Sequence, residues 1–230
     1  MWENIKSLME AAEQGDAKAQ TELADRYRDG KGIDQDYTKA VEWYRKAAEQ
    51  GDVVGQRRLG VRYLQGQGIE QDSKEALYWC NKAAEQNDVI AMNNLGAYYI
   101  DFEQNYEKAV EWFTKAAEQG LADAQLNLGL CYEYGFCDGT NDGNEVDIIQ
   151  AWNAINEKMN ANNEKAFEWY KKAAEQGNVD AQFKLGEYYR DGKGVEQDLE
   201  KAVEWFTKAA EQGHAKAKEN LEKIKQSQKL

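Results

Sequence analysis

Residues 43–52 read WYRKAAEQGD, and the string returns as WCNKAAEQND at 79–88, WFTKAAEQGL at 112–121, WYKKAAEQGN at 169–178 and WFTKAAEQGH at 205–214. A shorter echo, MEAAEQGD, fills residues 9–16. The tryptophans stand 36, 33, 57 and 36 residues apart, so a unit of 36 is shortened once and expanded once. Within a copy, Ala40, Trp43, Tyr44, Ala47 and Ala48 recur at helical spacing and form one apolar stripe. KAAEQ is rich in strong helix formers. Gly51 stands where the chain needs a left-handed residue to close that helix, and Asn87, which replaces it once, is the next best choice. Each copy therefore predicts a helix end with its stop signal.

A second stripe precedes each copy: Ala19, Leu23, Ala24 and Tyr27, then Ala91, Leu95, Gly96 and Tyr99, then Ala181, Leu185, Gly186 and Tyr189. Each unit is thus a helix pair that cannot bury its stripes alone, and stacking of successive pairs makes the core. The expected fold is all-α, a single α-solenoid over residues 1–230 with units at 17–52, 53–88, 89–121, 122–178 and 179–214. Residues 1–16 read as a lone second helix capping one end, and 215–230 as a lone first helix capping the other.

Between the helices of most units lies DGKGIDQD, QGQGIEQD or DGKGVEQD, where paired glycines supply a tight turn and Ile33, Ile69 or Val195 tucks inward. The whole pattern, A-x-x-x-L-G-x-x-Y-x-x-G-x-G-[IV]-x-x-D followed by K-A-x-x-W-[YF]-x-K-A-A-x-x-G, closely resembles the Sel-one-like repeat family, 36-residue relatives of tetratricopeptide repeats. The resemblance covers almost all of the chain except one insert. It implies a right-handed superhelix of helix-turn-helix repeats whose first helices line a concave face, and a role as a protein-binding scaffold or adaptor with no catalytic residue. Many secreted bacterial members carry a cysteine pair in every repeat. Here Cys80 merely replaces the aromatic seen at Tyr44 and Phe113, so the resemblance does not extend to export and disulfide stapling.

The fourth unit is expanded by an insert at 136–164. Its front, CDGTNDGNE, is turn-rich, and the following DIIQAWNAINEKM places Ile148, Trp152, Ile155 and Met159 on one helical face. An extra amphipathic helix is expected near 146–160, either covering a core edge or extending the following helix, or else serving as a lid or partner-specific contact. Asp138, Thr140, Asp142 and Gly143 invite a calcium-loop reading, but the bidentate Glu required at loop position twelve is Ile149. No metal and no cofactor is expected.

The net charge of −13 argues against nucleic acid, whose binding depends on clustered Lys and Arg. It favours a basic protein partner or simply solubility. The first residues lack a basic and an apolar signal region, and no stretch approaches eighteen apolar residues, which predicts a cytoplasmic protein without a membrane partner. The sole histidine, His214, falls at a variable, exposed-looking position. Cys131 and Cys137 lack metal-type spacing, so no enzyme chemistry is expected.

The inward positions of the first helices, set in register by Leu23, Leu59, Leu95, Leu128 and Leu185, differ between units. The first unit is polar there, with Lys18, Thr21, Asp25, Arg28 and Asp29. The next three offer Val54, Arg57, Val61 and Leu64; Ile90, Asn93, Ala97 and Ile100; and Leu126, Leu130, Glu133 and Tyr134. The fifth adds Phe183, Glu187 and Arg190. A solenoid's inner wall does not need aliphatic residues to fold, and an exposed apolar patch with a charged rim marks an interaction site. The expectation is a non-enzymatic scaffold, monomeric by default, that binds a protein or peptide segment there, with Arg57 and Asn93 orienting it. The alternative is a cytoplasmic antidote that neutralises a basic toxin or effector.

Overall fold

The computed structural model describes the backbone of residues 2–135 and 148–227, and the side chains of 5–135 and 158–226. Twelve helices and no strand are found among the described residues. They divide into two compact units. Unit one, residues 1–104, holds α1 (Trp2–Glu13), α2 (Ala17–Asp29), α3 (Tyr37–Glu49), α4 (Val53–Gln65), α5 (Ser73–Glu85) and α6 (Val89–Asp101). Unit two, residues 105–230, holds α7 (Tyr106–Glu118), α8 (Ala122–Glu133), α9 (Ile148–Glu175), α10 (Val179–Asp191), α11 (Leu199–Glu211) and α12 (Ala215–Ser227). This is the helical repeat fold expected of the 36-residue period.

Each letter of the recurrent string has a physical office. In the copies that begin at Trp43, Trp112, Trp169 and Trp205 the tryptophan carries the lysine three residues on, with Lys46 Nζ 3.9 Å from the Trp43 ring centre and Lys172 at the same distance from Trp169. The two alanines are buried and let the helices approach closely. The glutamine forms a relay: Gln50 Nε2 donates to Gln20 Oε1 at 2.8 Å, and buried Gln20 donates to the Ala12 carbonyl at the end of the previous second helix, at 3.0 Å. Gln86 with Gln56 and the Ala48 carbonyl, and Gln212 with Gln182 and the Ala174 carbonyl, repeat it. The relay gives each of these helix-terminal carbonyls a second donor beside the backbone amide of the glycine three residues on. Asn87 adopts the left-handed conformation expected of it, φ 62°.

The last residue of the string starts the next helix. Asp52 Oδ1 accepts from the Gly55 amide at 2.6 Å, Asp88 from Ala91 at 2.7 Å and Asn178 from Ala181 at 2.9 Å. His214, expected to be exposed, does the same work: its Nδ1 accepts from the Ala217 amide at 3.1 Å, and the ring is half-buried. The same caps reach backwards. Thr21 Oγ1 donates to Asp52 at 2.8 Å, Arg57 Nε to Asp88 at 3.1 Å, and the Phe183 ring stacks on His214 with centres 4.3 Å apart.

Two glycines show how closely the layers meet. A Cβ on Gly129 would lie 2.6 Å from the Tyr170 ring, and one on Gly68 only 2.2 Å from the Tyr37 carbonyl oxygen. The described part of the insert begins at residue 148. This part joins the following segment in the single helix α9, 28 residues long, an extension of the repeat's second helix. The calcium-like residues Asp138, Thr140, Asp142 and Gly143 lie outside the described residues.

Candidate protein-binding face of the first helices

In unit two, α8, α10 and the start of α12 bring sequence-distant side chains around one depression of about 410 Å³. Leu126 and Leu130 form one wall; Phe183, Asp180 and Lys184 another; His214, Ala215 and Lys216 the third. The leucines are half-buried because each packs its inner edge on the core around Tyr170 and Leu185. Phe183 is only 9% exposed, held between Phe206 and His214. It forms the floor of the depression and does not project from it.

Below this apolar patch the charges are tied together. Glu133 accepts from the Tyr170 hydroxyl at 2.7 Å and from Lys184 Nζ at 2.9 Å. Burial alone would lower the lysine's pKa, but the Glu133 hydrogen bond and charge outweigh it and raise it. Burial, and then the Glu133 charge, push the Tyr170 hydroxyl well above its ordinary range, so it stays a donor. Arg190 Nε binds Asp191 at 2.7 Å and its Nη1 reaches Asn220 at 2.5 Å, while Glu187 lies 3.9 Å from both Lys184 and Arg190. Asp180 remains 72% exposed, with a His214 ring nitrogen at 3.5 Å. Tyr134 is exposed at the end of α8.

In unit one, Val54 and Ile90 are exposed, and Val61, Leu64, Asn93, Ala97 and Ile100 are half-buried. Arg57 departs from its expected role. It is buried, and its Nε is committed to Asp88, the cap of α6, so it ties one repeat to the next and is not available to orient a partner. Of the insert face, Met159 is exposed, whereas Ile148, Trp152 and Ile155 lie outside the residues whose side chains are described. Sequence reasoning missed His214, Ala215 and Lys216 as part of the site. The signal for His214 was its place in the string, where Asp52, Asp88 and Asn178 stand in other copies.

A larger recess of about 1070 Å³ lies in unit one between α1 and the Gly30–Asp36 loop, floored by Ile5, Met9, Tyr27 and Ile33. It shares no residue with the predicted patch. Among the described residues, no group of three His, Cys, Asp or Glu side chains is placed to hold a metal. Burial pushes the Cys80 thiol up to about 12, which removes it as a nucleophile at neutral pH. No described helix is long and apolar enough to cross a membrane.

The Sel1 repeat model matches residues 17–52, 53–88, 89–121, 122–145, 157–178 and 179–214. Among solved structures, a Sel1 repeat protein from Oxalobacter formigenes is 31% identical, with a TM-score of 0.72 over 90% of this chain and 76% of that one. A protective antigen of uropathogenic Escherichia coli with an SLR fold is 35% identical, with a TM-score of 0.57 over 96% of this chain, which spans about half (51%) of the antigen's length. An immunity protein from Pseudomonas aeruginosa shares the fold at 22% identity, with a TM-score of 0.56 over 90% of this chain and 72% of that one. Comparison with curated proteins gives no match. Sel1 repeats mediate protein–protein interaction and are generally non-enzymatic scaffolds. Repeat by repeat, from the capped helix starts to the glycine-closed ends, this chain belongs to the Sel1 repeat family.

Proposed function

We propose that this chain is a non-enzymatic scaffold that holds a segment of a partner protein on its first-helix face, with the unit-two depression as the anchor. The observation that carries this reading is the meeting of Leu126 and Leu130 with Phe183 in an open hollow rimmed by Asp180 and Lys216. Half-buried apolar walls with a polar rim suit one large apolar side chain, and desolvation at such a centre carries most of the affinity of a small interface. The exposed Asp180 and the chain's charge of −13 favour a cation beside that side chain.

The test is affinity capture from an extract of the source organism, comparing the wild type with Ala215→Trp. Ala215 is exposed on the rim, so the indole fills the hollow without entering the core. A protein retained by the wild type and lost with the plugged variant supports the reading. Equal retention by both sinks it.

A second reading, an antidote that neutralises a basic toxin or effector, takes its support from the same acidity. The fold also serves as an immunity protein in Pseudomonas aeruginosa, a likeness of fold alone. In that case the captured partner would be an enzyme whose activity disappears on stoichiometric mixing, with association slowing as salt rises.

A further inference from the structure

Where α2, α3 and α4 meet in unit one, Arg28, Arg58 and Arg62 gather about the Tyr44 hydroxyl. Asp25 accepts from that hydroxyl at 2.5 Å and from Arg28 Nη1 at 2.6 Å. Asp29 is held by Arg28 Nε at 2.6 Å and by Lys31 Nζ at 2.9 Å. Both carboxylates are thus occupied by Arg28 and its neighbours. Arg58 Nε lies 3.7 Å from Asp25, too far for a hydrogen bond, and Arg62 has Gln67 on its Nη1. The Nε atoms of both Arg58 and Arg62 are buried with no hydrogen-bond partner among the described residues. Arg62 is 7% exposed, and burial lowers its pKa, as do the Arg28 and Arg58 charges.

Three guanidinium groups here face two carboxylates, in a chain whose net charge is −13. Buried donors in native proteins are almost always paired, and guanidinium groups suit the planar oxygens of carboxylates and the oxygens of phosphates. The Arg58 and Asp25 side chains are about a third exposed, at 35% and 31%, so the cluster opens to solvent. Nor does the repeat need these arginines in order to fold. At the position of Arg58 the other units carry Glu22, Asn94, Asn127 and Lys184, and at that of Arg62 they carry Arg26, Tyr98, Cys131 and Tyr188.

We propose that Arg58 and Arg62, with Arg28 as the third cation, form an oxyanion site that takes a carboxylate or phosphate group. This site is separate from the unit-two depression and stands or falls without it.

The test uses the intact chain and the arginine Nε–H resonances in proton–nitrogen NMR. Chloride is replaced stepwise by inorganic phosphate, and in a second series by acetate, at constant ionic strength. The expected result is a saturable shift of the Arg58 and Arg62 signals. It should weaken about tenfold or more in Arg62→Tyr, the scale of losing a hydrogen bond to a charged group. Arg58→Asn, also a residue the other repeats use, repeats the test should the tyrosine perturb folding. Saturation by phosphate alone identifies a phosphate group as the ligand chemistry, by acetate alone a carboxylate, and by both an oxyanion in general. Linear, unsaturating shifts, or variants that bind as tightly as the wild type, overturn the proposal.

Discussion

Tyr44 in unit one and Tyr170 in unit two occupy the same place in the repeat, both are fully buried, and each hydroxyl donates to a carboxylate on its partner first helix. The carboxylate is not at the same position. In unit one it is Asp25, with Arg28 one turn on; in unit two the first of these places is Leu130 and the second is Glu133. The cation from the next repeat, Arg58 or Lys184, is common to both. A tyrosine at this place in the repeat therefore finds a carboxylate acceptor from either position, whereas the Tyr188 hydroxyl, equally buried at another place, has no hydrogen-bond partner among the described residues. Where the aromatic has no hydroxyl to satisfy, at Phe113, the matching first-helix place is Ala97, and where it is Cys80 the place is Val61. Glu187 opposite Phe206 is the exception, and it is employed by Lys184 and Arg190 instead.

Removing the acceptor should separate the two clusters most sharply. Glu133→Leu leaves the Tyr170 hydroxyl without an acceptor and the largely buried Lys184 ammonium with only the longer 3.9 Å contact to Glu187, and about 3 kcal/mol of stability is expected to go. Asp25→Leu strands Tyr44, but Arg28 keeps Asp29, so a loss of about 1.5 kcal/mol is expected. Urea unfolding of both variants measures this, and equal losses would break the comparison. Next in size is the glycine behind the ring. Gly129→Ala presses on Tyr170 and should cost about 2 kcal/mol by overpacking, whereas unit one already accommodates Ala24 at that position beside Tyr44. A neutral thermal melt for Gly129→Ala would show that the unit-two ring has room to move.

Acid should distinguish the units least. The Arg28 hydrogen bond holds Asp29 below the usual carboxylate range, and Arg190 does the same for Asp191 at the matching place in unit two. A carboxylate whose folded pKa is depressed contributes stability above its unfolded value near 3.8, and loses that contribution as pH falls through the lower folded value. Both pairs are partly exposed, so each contributes only a fraction of a kcal/mol. Melting temperature is expected to hold above pH 5 and to decline below about 4. Arg28→Gln and Arg190→Gln should flatten that decline slightly and alike.

The periodic letters made the fold legible: the two apolar stripes and the Gly or Asn stop all place their helices where the structure has them. Leu126, Leu130 and Phe183 were also legible as a group, because one register counts them along successive first helices. What the sequence hid were bonds that connect one repeat to another. Thr21 and Arg57 looked like inner-wall residues because periodicity assigns a face but not a partner, and each is spent on a cap 31 residues away. The glutamine of KAAEQ looked like a mere helix former, though its amide joins three helices. His214 looked exposed because imidazole is an unusual helix cap, yet its Nδ1 accepts as a carboxylate does.

Those double-duty caps give the array a sense of direction. Asp52 and Asp88 each begin a helix and at the same time receive a side chain from the helix one repeat earlier, so the start of every such helix is fastened to its predecessor and not to its successor. At the start of α8 Leu121 stands at the cap and makes no side-chain bond to the helix. That helix, begun without a side-chain cap, would fray at its start more readily than α4 or α6.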